Sequence, residues 1–272
     1  MTSRGLDQCI MKDLLAVVAP VSGPKLGRSV VYAFHLARLI GAHFTAMIAD
    51  IDAGSSPGQV TSNDIAETAA LIRSAAARAD APCAIMSHDG ASSPLRETLI
   101  GNAQVRDLVV LDVREPLSHP RKGLVEAVLF NTGRPIVLVP AVFGRSSIGT
   151  VVIAWDETPS AVRALHDALP LLKHARDVVL ISVTDDKEFR AFRSGADLCQ
   201  YLARWEIVAC FEAVERGGRT VGAALLEHAR RIDADLLVMG GFGHAREREF
   251  IVGSATRDIF QSTLEIPVLL SH

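Results

Sequence analysis

Short apolar runs bounded by Gly, Asp and Pro alternate along this chain with longer stretches whose apolar residues recur at helical spacing. Residues 12–19 (KDLLAVVA), 43–49 (HFTAMIA), 107–111 (DLVVL) and 134–139 (RPIVLV) are runs of the first kind. Their shortness and their Val, Leu and Ile content predict strands buried on both faces, because a half-solvated strand would alternate instead. Residues 28–40 place Val31, Phe34, Leu36, Ala37 and Leu39 on one side of a helix. Helices are predicted likewise over 64–79 and 95–104, with residues 51–61 (IDAGSSPGQVT) as a loop before the first of these.

The same pattern is then written a second time. A shift of 134 carries Val17, Val18 and Ala19 onto Val151, Val152 and Ile153, and Ala49 onto Val183. A shift of 128 carries 107–111 onto 235–239 (DLLVM), and a shift of 132 sets Pro135 over Pro267. Strands at 149–154 and 177–183 and helices at 161–172, 221–231 and 255–263 complete the second copy. A helix within 185–205 takes the place of 64–79, and the second copy is four residues longer (132 − 128) in the loop between its fourth strand and its last helix. Strands alternating with helices, in two copies, predict an α/β chain of two tandem units. Each unit is a five-stranded parallel sheet flanked by helices, doubly wound and Rossmann-like. The units are expected at 1–143 and 149–272, joined through the Gly/Ser/Arg stretch at 141–148.

Composition narrows the function classes. A length of 272 residues accommodates two domains, and 49% hydrophobic with 22% charged residues excludes a disordered chain. With 28 basic against 31 acidic residues there is no surplus of positive charge for gripping nucleic acid. The 4 cysteines show no C-x-x-C spacing, which argues against a zinc or dithiol site and points to a reducing cytoplasm. No apolar run reaches the roughly 18–20 residues that span a bilayer, so no membrane insertion is expected. Residues 14–21 read as a buried strand and not as a signal-peptide core.

In sheets of this class ligands sit outside the carboxyl ends of the strands. After 235–239 comes GGFGHAREREFIVGSAT, residues 240–256. Its glycines permit close backbone approach to a ligand, and Gly253 and Ser254 open the next helix, where free N–H groups favour phosphate oxygens. The Ser254 hydroxyl adds a donor. Gly240, Gly243, Gly253 and Ser254 together spell G-x2-G-x9-G-S/T. In this motif, and in the order of elements repeated over the whole chain, the sequence resembles the universal stress protein family.

The resemblance implies an adenine nucleotide as ligand, ATP with or without Mg²⁺. It implies that Asp156, at the end of the second half's first strand, sits beside the ribose or adenine. Val183 would offer backbone groups to the adenine, and Met239 would lie against the base or sugar. Ala154, Ala255 and Thr256 complete the contacting set, Thr256 toward the phosphates. His244, Arg246 and Arg248 either screen phosphate charge or form a solvated face with Glu247 and Glu249. Exchanging Gly243 for a β-branched residue should remove nucleotide binding and spare the fold.

The first half departs from the pattern. Ser22 falls at the place of Asp156, and the loop 112–123 (DVREPLSHPRKG) lacks the first two glycines and is shorter. Asp112 puts a carboxylate where a glycine should approach the nucleotide, so one site per chain is expected. Residues 23–29 (GPKLGRS) are one residue short of G-x4-G-K-S/T, with Arg28 for the lysine, and read as a turn and a helix start.

No residue is assigned a catalytic or metal-ligating role, since there is no G-x-S-x-G elbow and no histidine pair at metal-ligand spacing. The leading expectation is a nucleotide-dependent stress-response or regulatory protein whose bound ATP alters a surface read by an unidentified partner protein. Alternatives are a nucleotide-independent interaction module, a slow ATPase, and an enzyme on an adenylated substrate with Glu157 or His244 as its acid or nucleophile. The resemblance also implies that the last strands of the two halves, 135–139 and 267–270, pair within the chain across a pseudo-twofold, which would cover their edges, and a homodimer is compatible with that.

Overall fold

The computed structural model describes residues 11–21, 25–51, 61–79, 81–88, 94–113, 117, 121–145, 147–184, 191–242 and 255–272, the side chains of 191–194 excepted. The first half runs β1 (Asp13–Val18), α1 (Arg28–Ile40), β2 (His43–Ile48), α2 (Ser62–Ala79), β3 (Cys83–Ser87), α3 (Leu95–Gln104), β4 (Leu108–Val113), α4 (Arg121–Asn131) and β5 (Ile136–Pro140). The second repeats that order with β6 (Thr150–Ala154), α5 (Pro159–Leu172), β7 (Asp177–Val183), α6 (Ala191–Ala203), β8 (Ala209–Val214), α7 (Val221–Arg231), β9 (Leu236–Gly240), α8 (Ala255–Gln261) and β10 (Val268–Ser271).

All strands join one sheet in the order β3-β2-β1-β4-β5-β10-β9-β6-β7-β8. Neighbours are parallel except at the centre, where β5 and β10 run antiparallel with Leu138 opposite Val268 and Ile136 opposite Leu270. The expected pairing of the two last strands within the chain is therefore present. It removes an exposed edge from each half, leaving β3 and β8 as the edges. The central strands are buried along nearly their whole length, β5 and β10 at every residue and β1 at every residue but Asp13. With the right-handed crossovers that parallel strands adopt, this strand order sets α1 and α2 on one face and α3 and α4 on the other, and the contacts α1 makes with α2 and α3 with α4 agree; the second half follows the same order.

Each copy carries the same internal tie. Asp107, just before β4, accepts hydrogen bonds at Oδ2 from the N–H groups of Lys12 (2.7 Å) and Asp13 (3.1 Å) at the start of β1. Asp235, just before β9, accepts from Gly149 (2.7 Å) and Thr150 (3.1 Å) at the start of β6. The segment joining the halves packs as well: Phe143 and Ile148 are buried, and the Phe143 ring meets Tyr32 of α1 edge-on at 5.8 Å. Arg145 reaches the carboxylates of Asp233 and Asp235. No helix among the described residues is long and apolar enough to cross a membrane.

Candidate functional site

The strand order reverses at β6, whose neighbours are β7 on one side and β9 on the other. Such a reversal opens a crevice at the carboxyl ends of the strands. β6 ends at Ala154 and the chain turns away there: the Trp155 N–H donates to the Ile181 carbonyl (2.8 Å) and its carbonyl accepts from Ser182 Oγ (2.6 Å). β7 continues two residues further. Backbone groups along a strand face alternate sides. Ile181 faces β6, while the Thr184 N–H donates toward β8, to the Val214 carbonyl. The N–H and carbonyl of Val183 consequently face the β6 side, past the last residue of that strand.

Asp156 is exposed at the same mouth. Its Oδ1 accepts from the Thr158 N–H (3.1 Å) and the Thr158 hydroxyl (2.6 Å). Thr158 is the N-cap of α5, accepting from the Ala161 N–H, and Pro159 follows in the first turn, where its missing N–H costs nothing. Between them Glu157 adopts φ 62°, the left-handed region that a non-glycine residue enters only when its surroundings hold it there.

The Thr158 hydroxyl lies 3.1 Å from Ser160 Oγ, and Ser160 packs on Gly240. A Cβ on Gly240 would stand 2.6 Å from both Ser160 Oγ and the Ala161 nitrogen. Asp156 and Gly240, far apart in sequence, are thus joined through two hydroxyls. The glycine at 240 is required by the close approach of the α5 start to β9, a packing duty that motif spacing does not reveal.

Beyond Gly240 the turn is fixed at each residue. Gly241 donates its N–H to Ser271 O (2.6 Å), and its carbonyl bonds His272 Nδ1 (2.9 Å). Phe242 takes φ 55° and donates its N–H to Thr256 Oγ1 (2.9 Å). Thr256 is buried at 2% exposure, and one acceptor position of its hydroxyl serves the turn. Met239 is a core residue opposite Leu270, Ala154 is half-buried at the end of β6, and Ala255 opens α8. Gly243, Gly253, Ser254, His244, Arg246 and Arg248 lie outside the described residues, as does Ser22. Among the described residues no group of three or more His, Cys, Asp or Glu is placed to hold a metal ion.

Sequence reasoning passed over Thr158, Ser160 and Ser182. The Thr-Pro-Ser of 158–160 carries a readable helix-start signal, a capping threonine followed by proline. Nothing local marks Ser182.

The corresponding place in the first half is filled from within. Asp112 sits opposite Val139 in β5, as Gly240 sits opposite Ser271 in β10. Arg121, the first residue of α4 and only 1% exposed, bonds through Nη1 to the Asp112 carbonyl (2.9 Å) and to its carboxylate (3.1 Å). The half that lacks the glycines has a buried ion pair at the equivalent strand end.

Residues 147–272 match the model of the universal stress protein family. The whole fold is similar to a universal stress protein from Archaeoglobus fulgidus, at 16% identity over 94% of this chain and 95% of that one, with a TM-score of 0.62. It is similar to a putative universal stress protein from Pseudomonas aeruginosa, at 15% identity over 97% and 94%, with a TM-score of 0.61. The cytoplasmic domain of a prokaryotic cation chloride cotransporter also shares the fold, at 11% identity over 96% and 95%, with a TM-score of 0.56. At these identities the likeness concerns fold, and fold alone does not determine function. No curated protein matches the sequence.

Proposed function

The chain belongs to the universal stress protein family through residues 147–272, and from that premise we propose that its second half binds ATP at the carboxyl ends of β6, β7 and β9. The observation that carries the reading is the backbone edge of Val183, which faces past the end of β6 into the mouth where Asp156 and the Gly240 turn converge. An N–H beside a carbonyl complements the acceptor N1 and donor N6 of adenine. Asp156 accepts from the ribose or the base, with Ala154 and Met239 flanking. The motif of Gly240, Gly243, Gly253 and Ser254, continued by Ala255 and Thr256, takes the phosphates and any Mg²⁺ they carry.

The units 1–143 and 149–272 then differ in role, the second binding and the first not. The protein acts in the cytoplasm as a nucleotide-dependent regulator: ATP orders a surface that a partner protein reads. The proposed role is binding, with hydrolysis at most slow. The nucleotide-independent module is favoured as second reading by the Asp112–Arg121 pair, which is this same fold with its strand end already closed.

Titration of Gly243→Val with ATP by calorimetry tests the reading. Affinity is expected to fall at least about tenfold, because a β-branched side chain restricts the backbone and obstructs phosphate approach. The thermal midpoint should stay near that of the wild type. Undiminished affinity in this variant contradicts the phosphate cradle.

A further inference from the structure

The turn at Gly240–Phe242 belongs to the second half, but part of its support comes from the first. The Phe130 ring, on α4, lies 4.9 Å from the Phe242 ring, tilted by 46°. It also lies 4.9 Å from the imidazole of His272, nearly edge-on at 75°. His272 in turn bonds the Gly241 carbonyl. Leu129, the preceding residue of α4, comes to 3.5 Å of the position a Cβ would take on Gly241. A second bridge runs nearby, from the Leu117 N–H to the carbonyl of Phe260 on α8, and Phe260 meets Phe242 ring to ring at 5.8 Å.

Phe130 is 47% exposed, so it is not a core residue in the ordinary sense. Its contacts fall on the turn's own Phe242 and on the residue that bonds Gly241. Phe242 needs such support: its φ of 55° is a conformation that a bulky L-residue leaves unless packing holds it. The antiparallel pairing of β5 with β10 brings α4 beside this turn.

We propose that Phe130 is a positioning residue that holds the Gly240–Phe242 turn in its nucleotide-ready shape, so that the non-binding half sets the ATP affinity of the binding half. The proposal rests on the nucleotide reading above for its effect on affinity, and on the aromatic contacts alone for its effect on the turn. When only a fraction of molecules holds the competent shape, the apparent dissociation constant rises by the inverse of that fraction. Loss of the ring thus acts on affinity without any contact to the ligand.

The test is Phe130→Ala in the full chain, read in two ways. Hydrogen exchange of the Gly241 and Phe242 amides, with no nucleotide present, is expected to quicken by about tenfold while the central strands keep their protection. ATP titration is expected to show about tenfold weaker binding. Phe130→Tyr, which keeps the ring, restores both. Unchanged exchange at the two amides overturns the proposal whatever ATP does. Faster exchange with unchanged ATP affinity overturns the link to binding. A uniform loss of protection with a fallen thermal midpoint shows a merely structural role and overturns it too. A wild-type chain that binds no ATP, alongside quickened exchange in Phe130→Ala, instead defeats the nucleotide reading and leaves the hold on the turn in place.

Discussion

Arg121→Ala is expected to destabilise the chain by about 3–5 kcal/mol, the cost of leaving one member of a buried ion pair alone. For a chain of this size that lowers the thermal midpoint by roughly 6–20 °C, at about 2–4 °C per kcal/mol. The guanidinium is 1% exposed and serves both the carbonyl and the carboxylate of Asp112, which is itself largely covered. Removing it strands two acceptors at the end of β4. Replacing both partners, Asp112→Ala with Arg121→Met, should recover much of the loss, because the large penalty belongs to the unpaired charge and not to the pair's net contribution. Scanning calorimetry of the two single variants and the double variant checks this. Additive losses would mean that the two residues act independently. In none of these variants should a second nucleotide bind. Asp112→Gly alone leaves Arg121 at the strand end, and the loop that follows is still shorter than its counterpart.

Gly240→Ala is expected to cost about 3 kcal/mol or more, at the upper end of overpacking penalties. That corresponds to a thermal midpoint lower by roughly 6–12 °C. The added methyl would meet the Ala161 nitrogen and the Ser160 carbonyl carbon at 2.6 and 2.7 Å, and backbone atoms at a helix start cannot swing aside as a side-chain tip can. The α5 helix would have to lift from β9. Loss of nucleotide binding in this variant says nothing of phosphate contact, whereas the same loss in Gly243→Val, with the fold intact, does. A Gly240→Ala chain that melts like the wild type would contradict the close approach of α5 described above.

These two positions show what was legible in the sequence. Gly240 and Asp112 were both singled out, one as part of a phosphate motif and the other as its violation. Their physical duties, helix packing and a buried ion pair with Arg121, depend on residues brought near by the fold. The central strands were readable because burial on both faces leaves an uninterrupted apolar run, as in β7 with only Asp177 exposed. The edge strands β3 and β8 were implied by the repeat but not located. Each has a neighbour on one side only, and none of their residues is fully buried, Cys83 and Glu212 included. The aligned Asp107 and Asp235 were visible as part of the repeat, but their bonds to the starts of β1 and β6 were not, since the partners lie 94 and 85 residues away. The segment at 141–148 read as a linker, and its Phe143 is buried against α1. Helix ends also moved: α8 stops at Gln261, short of the expected 263, and α6 covers Ala191–Ala203 within the wider 185–205.

At the site, motif and resemblance drew attention to Asp156, Val183 and Gly240, and the structure gathers these around one strand-order reversal. Phe130 and His272 carry no local signal. Their relation to the turn arises from the antiparallel β5–β10 junction and is invisible to any reading that treats the halves one at a time.

The central claim, one live nucleotide site in a chain built from two like halves, is tested most directly by counting. The full chain is titrated with ATP and Mg²⁺, separated from free ligand and denatured, and the released adenine nucleotide is measured per chain. The account predicts one equivalent. No retained nucleotide, together with no heat of binding in the titration, would contradict the nucleotide reading, and two equivalents would contradict the closed first half.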